Sequence, residues 1–82
     1  MYEIIFSDSA LQQLKKLERS LQEMIIKTLE RIRIRPEAYV QKLVGDPGYR
    51  LRVGDYRVIV DLDKNGLIIL VIKIGHRKNV YD

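Results

Sequence analysis

The stretch from Tyr49 to Ile74 constrains the fold most. Tyr49-Arg50-Leu51-Arg52-Val53 alternates apolar and basic side chains, Gly54-Asp55 follows, and Tyr56-Arg57-Val58-Ile59-Val60-Asp61-Leu62 opens as a second strand. A period of two puts successive side chains on opposite faces of a sheet, so the pattern predicts a β-hairpin with one apolar and one basic face. A two-residue loop at Gly54-Asp55 fixes the register: Val53 opposite Tyr56, Arg52 opposite Arg57, Leu51 opposite Val58 and Arg50 opposite Ile59. Tyr49, Leu51, Val53, Tyr56, Val58 and Val60 then share the face that can be buried, and Arg50, Arg52 and Arg57 share the other. Placing Arg52 against Arg57 costs a fraction of about 1 kcal/mol in cross-strand repulsion, which an anion between them relieves.

The apolar run from Leu67 to Ile74 supplies a third strand. With Lys64-Asn65-Gly66 as a three-residue loop and Gly66 left-handed, Leu67 falls opposite Asp63 and Lys73 opposite Arg57, which extends the basic face. The competing loop, Asn65-Gly66 alone, puts Lys73 on the buried face at the cost of burying a charge. Gly75 is expected to release the strand into a polar tail, where His76, Arg77, Lys78 and Tyr81 add two cations, an imidazole and a phenol.

Upstream, Tyr2 to Phe6 reads as a short strand and Ser7 as the N-cap of a helix that carries Ala10, Leu11, Leu14 and Leu17 at helical spacing. The polar break Glu18-Arg19-Ser20 precedes a second stripe, Leu21, Met24, Ile25, Thr28, Leu29 and Ile32, which stops short of Pro36. Both stripes are expected in the core. Lys15, Lys16, Lys27, Arg31, Arg33 and Arg35 are expected as solvated helix charges. Residues 36–47 read as a mostly irregular connection, closed by the turn Gly45-Asp46-Pro47-Gly48. The order β-α-α-β-β-β predicts an α+β domain over residues 1–82, with a two-helix hairpin packed on one face of a small antiparallel sheet.

At 82 residues without cysteine, burial of apolar surface must hold the fold unaided by disulfides. Thiolate metal sites are excluded and a single histidine cannot build a zinc site, so no cofactor is expected. The N-terminal residues lack a signal-peptide pattern, and the longest apolar run, Leu67 to Ile72, is too short to span a bilayer. A soluble, cytoplasmic protein without a membrane partner is expected. The net charge of +4 favours nucleic acid or another acidic partner.

Phe6-Ser7, Leu14-Lys15-Lys16-Leu17, Lys42-Leu43, the run Tyr49 to Val58, and Ile74-Gly75-His76-Arg77-Lys78-Asn79-Val80-Tyr81 together resemble the RelE toxins of the RelE/ParE superfamily, over nearly the whole chain. The resemblance implies a toxin that enters the ribosomal A site and cleaves the mRNA there without a metal. In that chemistry the RNA 2′-hydroxyl attacks the adjacent phosphate, leaving a 2′,3′-cyclic phosphate and a free 5′-hydroxyl. It also implies a cognate, RelB-like antitoxin that neutralises the toxin in a hetero-oligomer. Arg57 is implied as the phosphate clamp, Arg77 as the group that stabilises or protonates the leaving oxygen, and Tyr81 as a ring that stacks on or positions a nucleotide. Lys73 and Lys78 are expected to add charge for the RNA backbone. Arg50 and Arg52 stand where members of the family often carry lysines; arginine keeps the charge but stays protonated, which makes it a poor base. His76, the side chain suited to proton transfer near neutral pH, is the natural substitute. Two other functions share the fold: a ParE-like toxin that acts on DNA gyrase, against which the Arg57, Arg77 and Tyr81 set counts, and a binding module without catalysis.

Overall fold

The Gly54-Asp55 hairpin forms in the expected register, with Arg52 opposite Arg57 and Arg50 opposite Ile59. Gly54 has φ +59° while Asp55 stays at negative φ, as a two-residue hairpin turn with glycine in first position requires. Around this hairpin the computed structural model, which describes residues 1–78, arranges five strands and two helices. In chain order they are β1 (Glu3–Phe6), α1 (Asp8–Lys15), α2 (Arg19–Arg31), a 3-10 turn (Pro36–Ala38), β2 (Gln41–Lys42), β3 (Tyr49–Val53), β4 (Tyr56–Asp63) and β5 (Ile68–His76). The sheet order is β1-β5-β4-β3-β2, and both helices pack on one face.

The sheet is mixed, not antiparallel as expected: β1 runs parallel to β5, with Glu3 opposite Ile68 and Phe6 opposite Val71. Tight turns report the direction of β3, β4 and β5, whereas β1 reaches its partner through two helices and three strands. A helical crossover of that kind is what permits parallel pairing. The segment read as an irregular connection also contributes β2, whose Gln41 and Lys42 pair with Arg50 and Tyr49.

The junction of β4 and β5 differs from expectation in two ways that offset each other. The loop holds four residues, so Asp63 faces Ile68 and not Leu67. Asp63 Oδ1 accepts the backbone N–H groups of Asn65 and Gly66 at 3.1 and 3.0 Å, and it is Leu67, φ 55°, and not Gly66, that turns left-handed. Farther along, a bulge between Ile59 and Val60 leaves Ile72 as an extra residue on β5: Val60 faces Val71, but Ile59 faces Lys73. Lys73 therefore stands opposite Ile59 instead of Arg57, yet on the basic face as expected. Gly75 does not end the strand, because Arg57 pairs with Gly75 and Tyr56 with His76.

Ile25, Leu29 and Ile32 meet Val58, Val60, Ile69 and Val71 in the buried core between α2 and the sheet. Leu11 and Met24, expected in that core, are 38% and 42% exposed, because the apolar stripe on each helix is wider than the contact it makes. Arg33 is not a solvated helix charge: it lies past the end of α2 and donates from Nε to the Tyr2 carbonyl at 2.7 Å, while the Tyr2 N–H donates to Arg33 O at 2.8 Å.

Strand β1 ends at Phe6, and the rest of β5 beside it is completed by side chains of the helical segment. Ser7 caps α1 by accepting the Ala10 N–H at 3.0 Å, and its hydroxyl donates to the carbonyl of the bulged Ile72 at 2.9 Å. Gln13 Oε1 accepts the Ile74 N–H at 2.7 Å. One residue thus starts a helix and anchors the bulge that re-aims Lys73. Ser7→Ala is expected to lower stability by about 1–2 kcal/mol, measured by urea unfolding; a change under a few tenths would mean that water replaces both bonds.

Candidate phosphate-binding face

The strand registers assemble two rows of side chains on the sheet face that the helices leave open. One row is Gln41, Arg50, Ile59 and Lys73; the next is Arg52, Arg57 and Gly75. The row ending in glycine has no side chain on β5 to cover Arg57 from that side. Arg77 joins from beyond β5, held by its backbone N–H donating to the Asp55 carbonyl of the hairpin turn at 2.9 Å. Arg50, Arg52, Arg57, Lys73 and Arg77 therefore gather at one end of the open face. Lys78 follows Arg77 as an exposed residue, and Tyr81 lies outside the described residues.

Arg57 is the centre of this cluster. It is half-buried and its Nε is enclosed. Desolvation lowers its pKa below the usual arginine value, and the like charges of Arg50, Arg52 and Arg77 lower it further. The guanidinium still carries its proton at any physiological pH, and the like charges of Arg50, Arg52 and Arg77 add repulsion to the larger effect of its desolvation. An anion placed among the four guanidiniums relieves that repulsion. Arg52→Thr is accordingly expected to raise stability in low salt by a fraction of about 1 kcal/mol, a shift in Tm of a few degrees. Added sulfate should narrow the gap to the wild type; a lower Tm for the variant in low salt would contradict the repulsion.

His76 sits apart from the arginines. Opposite Tyr56, it projects on the helix-side face, where the two rings meet edge-on with centroids 5.4 Å apart and planes at 78°. Its Nδ1 accepts the Lys78 N–H at 3.3 Å, so the neutral ring carries its own proton on Nε2. Strand alternation thus separates His76 from Arg57, although the two belong to adjacent pairs. A role as the base would require the imidazole to act around the end of the sheet.

Sequence reasoning missed Tyr39 and Gln41, because residues 36–47 carry no strand-like period and their place beside Arg50 depends on β2. Tyr39 is 53% exposed, and with Gln41, Arg50 and Arg52 it lines a cleft. Leu43 and Ile59 form a small second apolar cluster on the open face, where the turn before β3 folds back over the sheet. Among the described residues no helix is long and apolar enough to cross a membrane.

The same architecture occurs in solved structures of toxins bound to antitoxins. The toxin chain of the intact RelBE complex of E. coli is 30% identical over 93% of this chain and 96% of its own, with a TM-score of 0.79. The RelBE2 complex of Mycobacterium tuberculosis matches at 19% identity, 93% and 98% coverage and a TM-score of 0.85. The archaeal RelE–RelB complex of Pyrococcus horikoshii matches at 22% identity, 96% and 98% coverage and a TM-score of 0.77. No curated protein sequence matches the chain at a significant level. The model of the family described as "ParE toxin of type II toxin-antitoxin system, parDE" covers residues 4–81. Sheet order, helix placement and this match over nearly the full length agree: the chain belongs to the RelE/ParE family of type II toxin–antitoxin toxins.

Proposed function

We propose that this chain is a ribosome-dependent mRNA endonuclease that cuts in the A site. The observation that carries the reading is the convergence of Arg50, Arg52 and Arg77 on Arg57, on a face made of strands and therefore rigid. Transfer of a phosphate diester to its own 2′-oxygen builds negative charge on a five-coordinate phosphorus, and fixed cations that need no rearrangement stabilise that charge most in a site shielded from water. In this reading the 2′-oxygen gives its proton to water and bonds phosphorus, the bond from phosphorus to the 5′-oxygen breaks, and that oxygen takes up a proton from water. Arg57 grips the non-bridging oxygens, Arg50 and Arg52 add positive charge from β3, and Arg77 serves the leaving oxygen. Lys73 and Lys78 hold neighbouring phosphates, and Tyr81 stacks on a base. His76 braces Tyr56 and so steadies the turn from which Arg77 projects. With no base beside Arg57 in this reading, rate enhancement comes from charge and from holding the 2′-oxygen in line.

The partner in this reading is a RelB-like antitoxin, as in the related complexes, whose acidic or amphipathic segment competes with RNA for the arginines; both work in the cytoplasm. A second reading is kept because the matching family model describes a ParE toxin, whose target in this reading is DNA gyrase. Primer extension on a translated message separates the two. Cuts within the A-site codon, leaving cyclic phosphate ends, support the endonuclease. Growth arrest with intact RNA and trapped gyrase complexes supports the second reading, and neither effect rejects both.

A further inference from the structure

Tyr39 presents more than half of its surface to solvent two residues before β2. Its backbone is fixed nonetheless: the 3-10 turn is anchored by buried Pro36, and the Tyr39 N–H donates to the Pro36 carbonyl at 3.0 Å. Its ring borders an open cleft of about 180 Å³ whose other walls are Gln41, Arg50 and Arg52. The Arg50 guanidinium donates from Nη2 to Gln41 Oε1. Because a guanidinium can only donate, this contact fixes the orientation of the amide, and the Gln41 Nε2 group is left to donate elsewhere.

We propose that this cleft is a subsite for one nucleobase of single-stranded RNA, resting on the reading of the arginine face as an RNA site. The base stacks on Tyr39, Gln41 Nε2 donates to a keto oxygen of the base, and Arg50 and Arg52 receive the adjoining phosphate. A rigid aromatic beside a line of cations is how unpaired RNA is held, since every base has a face to stack and every linkage a charge to neutralise. The amide adds selectivity. With its oxygen committed to Arg50, Gln41 offers hydrogens, which suit O4 of uracil and O6 of guanine and oppose the amino groups that cytosine and adenine carry at those ring positions.

Binding of uncleavable 2′-O-methyl oligonucleotides to the full chain, followed by fluorescence anisotropy, tests this without reference to catalysis. Oligouridylate is expected to bind more tightly than oligocytidylate. Tyr39→Ala should weaken both by about tenfold, while leaving a base-free sugar-phosphate oligomer of the same length unaffected. Tyr39→Phe should bind as the wild type does, and Gln41→Ala should erase the difference between uridylate and cytidylate. The proposal is overturned if Tyr39→Ala binds oligouridylate like the wild type, if it loses the base-free oligomer equally, or if its sole defect is toward an antitoxin. A chain that passes these tests yet cuts no translated message keeps the subsite and loses the endonuclease reading; one that cuts while Tyr39→Ala binds normally does the reverse. In the cleavage assay, a changed codon preference in Gln41→Ala places the base in the message, and an unchanged preference with weaker ribosome binding places it in ribosomal RNA.

Discussion

If the chain is the proposed endonuclease, Arg57→Ala is expected to slow A-site cleavage by about 100- to 1,000-fold, the effect of deleting one fixed donor from a site that stabilises developing negative charge. Folding should survive the change. Arg57 is held among like charges on the face of the sheet away from the core, so truncation removes repulsion from Arg50, Arg52 and Arg77 along with the clamp. The thermal unfolding midpoint is therefore expected to stay within a few degrees of the wild type. Ribosome affinity should fall far less than the rate, since the remaining cations still attract RNA over the whole face. Arg57→Lys is expected to fall between the two, because an ammonium keeps the charge but not the planar fork that grips two phosphate oxygens. Single-turnover primer extension on programmed ribosomes measures the rate, and a variant cutting within threefold of the wild type would remove Arg57 from the reaction.

The hairpin that carries Arg52 and Arg57 was legible because its turn is written locally: Gly54 alone supplies the left-handed residue, and the register follows from two residues. The next turn was not, because Asp63 organises the loop with its side chain and Leu67 takes a backbone conformation that composition assigns to Gly66. Lys73 nevertheless reached the correct face. One additional loop residue reverses the faces of β5 and one bulge residue at Ile72 reverses them again, so two errors of a single residue cancel in parity while shifting the partner from Arg57 to Ile59. His76 shows the opposite case. Its imidazole suits proton transfer, but strand alternation carries the ring to the helix side beside Tyr56. The parallel pairing of β1 and the bonds from Ser7, Gln13 and Arg33 to distant backbone lay beyond reach because no short-range pattern encodes a partner tens of residues away. Tyr39 and Gln41 were hidden for the same reason: their neighbours are set by two residues of β2.

Leu29→Ala is expected to produce the largest loss of stability, about 2–5 kcal/mol, as for other leucines truncated where the surroundings cannot collapse. Leu29 is 1% exposed in the last turn of α2, in the cluster with Val58, Val60 and Val71. Total stability for a domain of this kind is about 5–15 kcal/mol, so a loss of that size consumes a large share of it. Urea unfolding should show a lower midpoint with an unchanged slope, and Tm should fall by about 10 °C or more. The contrast with Arg57 lies in what happens to the chemistry. Val58 follows Arg57 in β4, and the strand turns one toward Leu29 and the other toward the open face, so the same backbone carries core and site on opposite sides. At a temperature where Leu29→Ala remains folded, its cleavage rate should match the wild type, and its stability loss should add to the small effect of Arg57→Ala in the double variant. A Leu29→Ala protein that is folded by circular dichroism but cuts slowly would show that packing beneath the sheet sets the spacing of the arginines above it.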